Sequence, residues 1–260
     1  MTPSSGGPGR THEEERREIV ELKRHVAEMT ELAVGMVADG TRALLAADGE
    51  LSRSVISRDA PLDRYDLNIE VEAIHLVATI QPEGPELRTI EASIKIANCV
   101  DRIGRLGYDL GRYIVPAPEG ADASVREQFR LMDQKARAMV VEAIDAFVAG
   151  DAERARAVFA MDDAVDALHR EIQQRLITLL RKGGGATDRL AFELLGARHL
   201  ERVADNACKI AEKAVYAITG QRRSEYPRTR GPERPAANDP AGEPDRAGAS
   251  PDATGSPKAP

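Results

Sequence analysis

Aromatic residues are scarce in this sequence: they make up 3% of its 260 residues, and Trp does not occur. A core without aromatic side chains has to be built from Leu, Ile, Val and Ala, which pack helix against helix. Hydrophobic residues reach 42%, enough for a sizeable core in a chain of this length. The composition therefore predicts an all-α bundle.

Cysteine is also scarce, and the sequence has neither long apolar runs nor an excess of positive charge. Two cysteines, Cys99 and Cys208, exclude a disulfide framework and form no CxxC pair. No apolar run reaches the roughly 18 residues of a membrane span, and the N-terminus lacks an apolar signal segment. The net charge of −7 argues against nucleic acid and suits cations better. We expect a soluble, cytoplasmic protein that docks onto a membrane complex at most.

Proline is concentrated at one end, because eight of the 15 prolines lie in residues 221–260 together with Gly, Ala, Ser, Arg and Asp. Such a segment cannot bury enough apolar surface to fold. We predict that residues 221–260 form a disordered tail, and that residues 1–10 are disordered too.

Between these ends the pattern is helical throughout. Thr11 with Glu14 and Ser124 with Glu127 have the spacing of a capping box, so each pair predicts a helix start. Turn-forming residues divide the chain into six helices of about 25 to 35 residues. The predicted breaks lie at residues 47–49, 81–85, 116–120, 150–151 and 183–185.

An internal repeat supports this division. Shifted by 103 residues, the segment Ala43 to Asp63 matches Ala146 to Asp166, and in the last helix of each half a shift of 100 places Asp101 over Glu201 and Arg105 over Asp205. We predict two tandem three-helix bundles, in residues 11–118 and 119–220.

Paired carboxylates recur at helical spacing in both halves. Two acids at i and i+4 lie about 6 Å apart on one helix face, where their repulsion costs roughly 0.2 to 0.5 kcal/mol unless a cation offsets it. Acid pairs on two antiparallel helices would bring four carboxylates together, an oxygen site for hard or borderline cations. The pairs are Asp162 with Asp166 and Glu201 with Asp205 in the second half, and Asp59 with Asp63 in the first.

Ordinary ion pairs offer another interpretation. Glu201 lies three residues after Arg198, and Asp205 lies four before Lys209, so surface pairing alone could absorb both charges. The repeated register of the acid pairs favours the metal hypothesis.

These residues resemble a known family. The ExxxD pair in Glu201-Arg202-Val203-Ala204-Asp205 and the preceding segment from Gly150 to Ile172 are similar to the hallmark helices of the PhoU family of phosphate-uptake regulators, and the resemblance covers about residues 15–220. It implies two three-helix bundles with multinuclear iron or zinc on the E(D)xxxD motifs, while the oxygen donors by themselves would also suit manganese or magnesium. It also implies a cytoplasmic, often dimeric protein without catalytic activity. Such a protein connects a phosphate ABC transporter ATPase to a sensor histidine kinase and represses the phosphate-starvation response when phosphate is plentiful.

The first half departs from the family pattern. Asp59, Asp63 and Asp101 are present, but Arg105 occupies the fourth position and is expected to pair with Asp101. Pro61 stands between the first two acids, where a helix interior would lose a hydrogen bond. We therefore predict a competent metal site at Asp162, Asp166, Glu201 and Asp205, and a weakened or absent site in the first half, where Asp109 is a substitute ligand.

Two other patterns have a possible chemical meaning. Glu72 with His75 has the ExxH spacing of di-iron helices, with Asp166 and His169 as a looser partner. Residues 182–187 lack the GK[ST] ending of a phosphate loop and are read as a connector. The remaining alternatives are an accessory protein of a different phosphate permease and a metal-dependent helical enzyme.

Overall fold

A computed structural model describes residues 11–113, 122–183 and 187–222, and within these ranges every regular element is an α-helix. The predicted tail from residue 223 onward and the predicted disordered residues 1–10 lie outside the described residues. The helices are α1 (His12–Ala46), α2 (Gly49–Ile56), α3 (Asp59–Ile80), α4 (Gly84–Arg112), α5 (Ala123–Ala149), α6 (Ala152–Arg181) and α7 (Thr187–Thr219).

The six predicted helices are present, and the second is interrupted between α2 and α3. Pro61 is the third residue of α3, so its missing N–H falls among the first N–H groups of a helix, which have no partner within the helix. The break at Ser57 and Arg58 thus places Pro61 where it removes no helical hydrogen bond. A single continuous helix, like α6, would have lost one.

The starts of the two halves differ from each other. α1 begins with the predicted capping box, in which Thr11 Oγ1 accepts from the Glu14 N–H and Glu14 Oε2 accepts from the Thr11 N–H. The capping box predicted at Ser124 and Glu127 is wrong. Asp122 caps α5 instead, since its Oδ1 accepts from the N–H groups of Ser124 and Val125.

The duplication is visible in the core. The residues that face the interior from α3 recur 103 positions later on α6, and those of α4 recur 100 positions later on α7. Each of these pairs is buried at both positions: Leu62 and Val165, Ile69 and Ile172, Ala73 and Leu176, Val100 and Leu200, Ile103 and Val203, Leu110 and Ile210. The two three-helix units therefore use the same packing positions.

The two halves share one core rather than standing apart, because α4 packs on α7 and α1 packs on α5. The buried side chain of Arg189, near the start of α7, donates from Nη2 to the carbonyl of Leu45 at the end of α1 (3.1 Å) and from Nε to Glu193 (2.7 Å). The hydrogen bond to Leu45 ties the second half to the first at a helix end that would otherwise leave a carbonyl unpaired.

Glycine sets the distance between α1 and α4. A Cβ atom on Gly107 would lie 2.6 Å from the Met36 carbonyl carbon and from the Val37 nitrogen, and one on Gly40 would lie 2.3 Å from the Gly107 oxygen. Any side chain at these positions would push the helix backbones apart.

Candidate metal centre

In the first half, the Arg105 guanidinium lies among the three predicted carboxylate ligands. Its Nη2 is 2.7 Å from Asp63 Oδ1, its Nε is 3.0 Å from Asp101 Oδ2, and its Nη1 is 3.6 Å from Asp59 Oδ1. The predicted pair with Asp101 is confirmed, and two further carboxylates from α3 join it. A protein-borne cation thus lies among the three acids and links α3 to α4.

Several carboxylates surround Arg105 and shift the pKa values of the groups near it. The pKa of Asp66, one turn beyond Asp63 on α3, is raised by burial and then by the negative charges of Asp101 and Glu70. The pKa of Arg105 is raised, chiefly by its hydrogen bond to Asp101. Asp101 Oδ1 is buried without a hydrogen-bond partner in the structure. One arginine therefore does not satisfy every acidic group here.

Asp109 does not join this cluster. Its charge acts on Tyr113 and His199 instead. Burial and the Asp109 carboxylate raise the pKa of Tyr113, and the same carboxylate opposes the lowering of the His199 pKa. The hypothesis that Asp109 substitutes for the missing ligand gains no support from this placement.

In the second half, α6 and α7 run antiparallel, because Arg156 near the start of α6 bonds to Gln221 just beyond the end of α7. The charge of Arg198 on α7 acts on His169 on α6. The part of α6 that carries Asp166 therefore lies near the part of α7 that carries Glu201. Glu201 is buried, and the other three carboxylates are half-buried.

An arginine is also present here, but it is placed differently. Arg198 Nη1 donates to both oxygens of Glu201, at 2.8 Å each, which confirms the ion pair considered from the sequence. The Arg198 side chain is 58% exposed, whereas that of Glu201 is 8% exposed. Arg198 therefore approaches the site from the solvent side.

His169 is a residue whose position the sequence did not reveal. It is half-buried on α6, and its pKa is lowered first by burial and then by Arg198, against an opposing effect of Asp166. A lowered pKa keeps the imidazole neutral, which is the form that binds metals. The one-turn spacing from Asp166 was visible in the sequence, but its proximity to Arg198 depends on how α7 packs.

The donor chemistry of the second half fits a hard or borderline cation, since it consists of four carboxylates with an imidazole nearby. As the side chains stand, however, no three His, Cys, Asp or Glu residues within 11–113, 122–183 and 187–222 lie close enough together to hold a metal ion. Binding would require Glu201 to leave Arg198. Because Arg198 is largely exposed, its displacement would disturb little packing.

The other sequence patterns find structural explanations. Glu72 Oε2 is 2.6 Å from His25 Nδ1 on α1, while His75 is exposed, so the ExxH pair does not converge. Gly183 has a positive φ of 65° just after α6, as expected of a connector, and residues 184–186 lie outside the described residues. Within the part of the chain that the structure describes, no helix is long and apolar enough to cross a membrane.

Comparison with known proteins gives a consistent result. The family model described as "PhoU domain" matches residues 26–114 and 129–214, one match in each half. The phosphate-specific transport system accessory protein PhoU homolog of Rhizobium meliloti is 32% identical over 213 residues, which cover 81% of this chain and 90% of that protein. The homolog of the same name from Caulobacter vibrioides is 28% identical over 205 residues, covering 78% and 89%.

Solved structures agree with the fold. The crystal structure of PhoU from Pseudomonas aeruginosa superposes with a TM-score of 0.73 at 28% identity, covering 79% of this chain and 99% of that one. The phosphate transport system regulatory protein PhoU from Streptococcus pneumoniae superposes with a TM-score of 0.72 at 23% identity, covering 80% and 98%. The latter supports the fold alone.

Proposed function

The chain belongs to the PhoU family, and from that premise we propose that it is an accessory and regulatory protein of phosphate uptake. The observation that supports this function is the match of both halves to the family, together with a relative named as an accessory protein of the phosphate-specific transport system. In this proposal the protein acts by binding and not by catalysis.

The proposed action is that of an adaptor in the cytoplasm. A phosphate ABC transporter ATPase and a sensor histidine kinase are the partners, the protein works as a homodimer at the edge of the membrane complex, and its effect is to restrain phosphate uptake and the starvation response. An all-helical scaffold with two packed repeats is suited to this task, because it offers several rigid helix faces at fixed distances from one another.

The second half is the proposed metal centre. Asp162, Asp166, Glu201 and Asp205 would hold the ion, with iron or zinc as the leading candidates and manganese or magnesium as alternatives. The ion would supply positive charge between α6 and α7, as Arg105 does between α3 and α4. The protein's own contribution is to hold the carboxylates on two facing helices.

Metal analysis of purified protein tests the centre. We expect the metal content to collapse in the double variant Asp162→Ala/Glu201→Ala and to change little in the matched variant Asp63→Ala/Asp101→Ala, because Arg105 already occupies the first site. Equal losses in both variants would contradict the asymmetry. Circular dichroism of each variant checks that the helices remain folded.

The regulatory role requires a test in cells. Purification of the tagged full chain from phosphate-replete cells should recover a phosphate transporter ATPase or a sensor kinase, and deletion should raise phosphate uptake. Recovery of another class of phosphate permease would favour the alternative accessory role. Recovery of redox partners only, with turnover by the metal-loaded protein, would favour a helical enzyme and contradict the proposal.

A further inference from the structure

The outward face of α3 is apolar. Leu67, Val71, Ile74 and Val77 are 58%, 58%, 57% and 41% exposed, and their spacing of three and four residues places them along one side of the helix. We call these four residues the α3 stripe. The opposite side of α3 is buried in the core through Leu62, Ile69, Ala73 and Leu76. The helix is therefore apolar on two sides, whereas a surface helix is ordinarily polar on the outer one.

The fold itself does not require this stripe. On α6, the helix at the equivalent place in the second half, the residues 103 positions later are Arg170, Gln174, Ile177 and Leu180. Arg170 and Gln174 are exposed and polar, while Ile177 and Leu180 are half-buried. α6 keeps the same buried positions although Arg170 and Gln174 on its outer side are polar. Core packing therefore does not require the apolar residues of the α3 stripe.

The two edges of the stripe carry different charge. At 100° per residue, Asp63 and Glu70 lie on the side of the stripe nearest α4, at angles between those of Ile74 and Val77, while Arg64 and His75 lie along the other edge. Asp63 is paired with Arg105, and Asp66, further round on the acidic side, is half-buried. An occupant of the stripe therefore meets Glu70 as the exposed carboxylate without an ion pair to Arg105 along this acidic edge.

These charges discriminate among occupants. If two copies packed α3 against α3 in antiparallel fashion, the two-fold axis would set each acidic edge against the same edge of the other copy, and like charges across an interface are unfavourable. A parallel pair would set this edge against Arg64 and His75 of the other copy, and the small area of the stripe argues against such a dimer. An anionic lipid surface would be repelled by the same carboxylates. A helix with apolar residues on one face and Lys or Arg along one edge satisfies both the stripe and its charge.

The size of the stripe indicates a reversible contact. Four side chains about half exposed present an area on the order of a few hundred Å², compared with roughly 800 Å² per partner in a stable interface of standard size. We propose that the α3 stripe, with its acidic edge at Asp63 and Glu70, is a docking surface for an amphipathic helix of another protein that carries basic residues along one edge. This inference does not depend on the metal centre.

Site-specific photocrosslinking in cells tests the docking surface. The full chain carries p-benzoylphenylalanine in place of Val71, and a matched control carries it in place of Gln174, the equivalent position on α6. We expect Val71 to crosslink to a peptide of another protein that has apolar residues at helical spacing and Lys or Arg along one edge, with at least a fivefold higher yield than Gln174.

Charge reversal sharpens the same experiment. Glu70→Lys in the crosslinking chain should lower the yield at least fivefold, whereas Glu127→Lys, an equally exposed change on α5, should leave it unchanged. Crosslinks to a second copy of the chain or to phospholipid, no crosslink at all, or yields insensitive to Glu70→Lys would each overturn the proposal. Unchanged circular dichroism of the variants shows that a lost crosslink is not lost folding.

Discussion

The two halves of the molecule place positive charge among their carboxylates by different means. In the first, Arg105 extends from α4 and contacts three aspartates, two of them on α3. In the second, the equivalent position is Asp205, and Arg198 engages Glu201 from the solvent side. A single exchange of a carboxylate for a guanidinium converts a candidate cation site into a permanent ion cluster within the same fold.

The halves also differ in how closely their helices approach. Gly40, Gly104, Gly107 and Gly111 in the first half correspond to Ala143, Ala204, Ala207 and Ala211 in the second. Glycine allows backbone to touch backbone between α1 and α4, whereas alanine keeps a methyl group between α5 and α7. One architecture therefore tolerates two interhelical distances, provided that each helix pair carries the matching small residues.

The largest effect is expected from filling the glycine contact. Gly107→Ala places a Cβ atom 2.6 Å from backbone atoms of α1, and such overpacking costs about 1 to 3 kcal/mol. The gain in helix propensity of about 1 kcal/mol offsets only part of it. We expect a net loss of up to about 2 kcal/mol in the free energy of unfolding, measured by urea denaturation.

The reverse substitution in the second half is the control. Ala207→Gly introduces no clash, so its cost should be limited to about 1 kcal/mol of helix propensity and about 0.8 kcal/mol for the loss of one buried methyl group. If Gly107→Ala were as stable as the wild type, the close approach of α1 and α4 would be contradicted.

The next effect concerns the first acidic cluster. Arg105→Gln leaves Asp59, Asp63 and Asp101 without their shared cation, and for this partly exposed network we expect a loss of about 1 kcal/mol. Millimolar Mn²⁺ should then raise the melting temperature of the variant, because a divalent ion can occupy the vacated position, while the wild type should respond less at this cluster.

The matched control is Arg102→Gln, an exposed arginine on the same helix. It should neither destabilise to the same extent nor create a response to Mn²⁺ beyond that of the wild type. An Arg105→Gln variant that melts identically with Mn²⁺ and with EDTA would argue against the guanidinium as a substitute for a metal ion.

A smaller effect distinguishes the two candidate caps of α5, Asp122 and Ser124. Asp122→Ala removes the cap of α5 and should cost about 1 kcal/mol, whereas Ser124→Ala should stay within about 0.5 kcal/mol. The pKa of Asp122 is lowered by the hydrogen bond from Arg175 and by the backbone N–H groups that it caps. Its contribution is therefore complete above the ordinary aspartate pKa and is lost as the pH falls through the lowered folded-state value.

Denaturation at pH 7 and pH 3 checks this dependence. The difference between wild type and Asp122→Ala should shrink at the lower pH. A cost from Ser124→Ala equal to that of Asp122→Ala would instead restore the capping box predicted from the sequence.

These comparisons show which features a sequence can predict. Helix content, the duplication and the disruptive effect of Pro61 follow from local patterns, and the pair between Arg105 and Asp101 follows from i,i+4 spacing. The start of α5 was misplaced because Asp122 and Ser124 are both good caps two residues apart. The contacts of Arg105 with α3 and the position of His169 beside Arg198 depend on packing between helices, which one-dimensional spacing does not encode.

The smallest effect compares two equivalent buried positions, Cys99 on α4 and His199 on α7, which are 7% and 8% exposed. Burial raises the pKa of the Cys99 thiol. It lowers the pKa of His199, with Arg202 adding to this and Asp109 opposing it. Both shifts favour the neutral form, and His199 Nδ1 is buried without a hydrogen-bond partner in the structure, so a charge there would be poorly solvated.

The two residues should consequently limit stability at opposite ends of the pH range. His199 has a lowered folded-state pKa, so its contribution is complete above the ordinary histidine value and declines as the pH falls. Cys99 has a raised folded-state pKa, so its contribution is complete below the ordinary thiol value and declines as the pH rises. Urea midpoints measured from pH 5 to 10 should lose part of their acid slope in His199→Gln, since His169 contributes to it too, and part of their alkaline slope in Cys99→Ala. A change in the alkaline slope in His199→Gln, or in the acid slope in Cys99→Ala, would contradict these roles, because the neutral imidazole is lost only as the pH falls and the neutral thiol only as it rises.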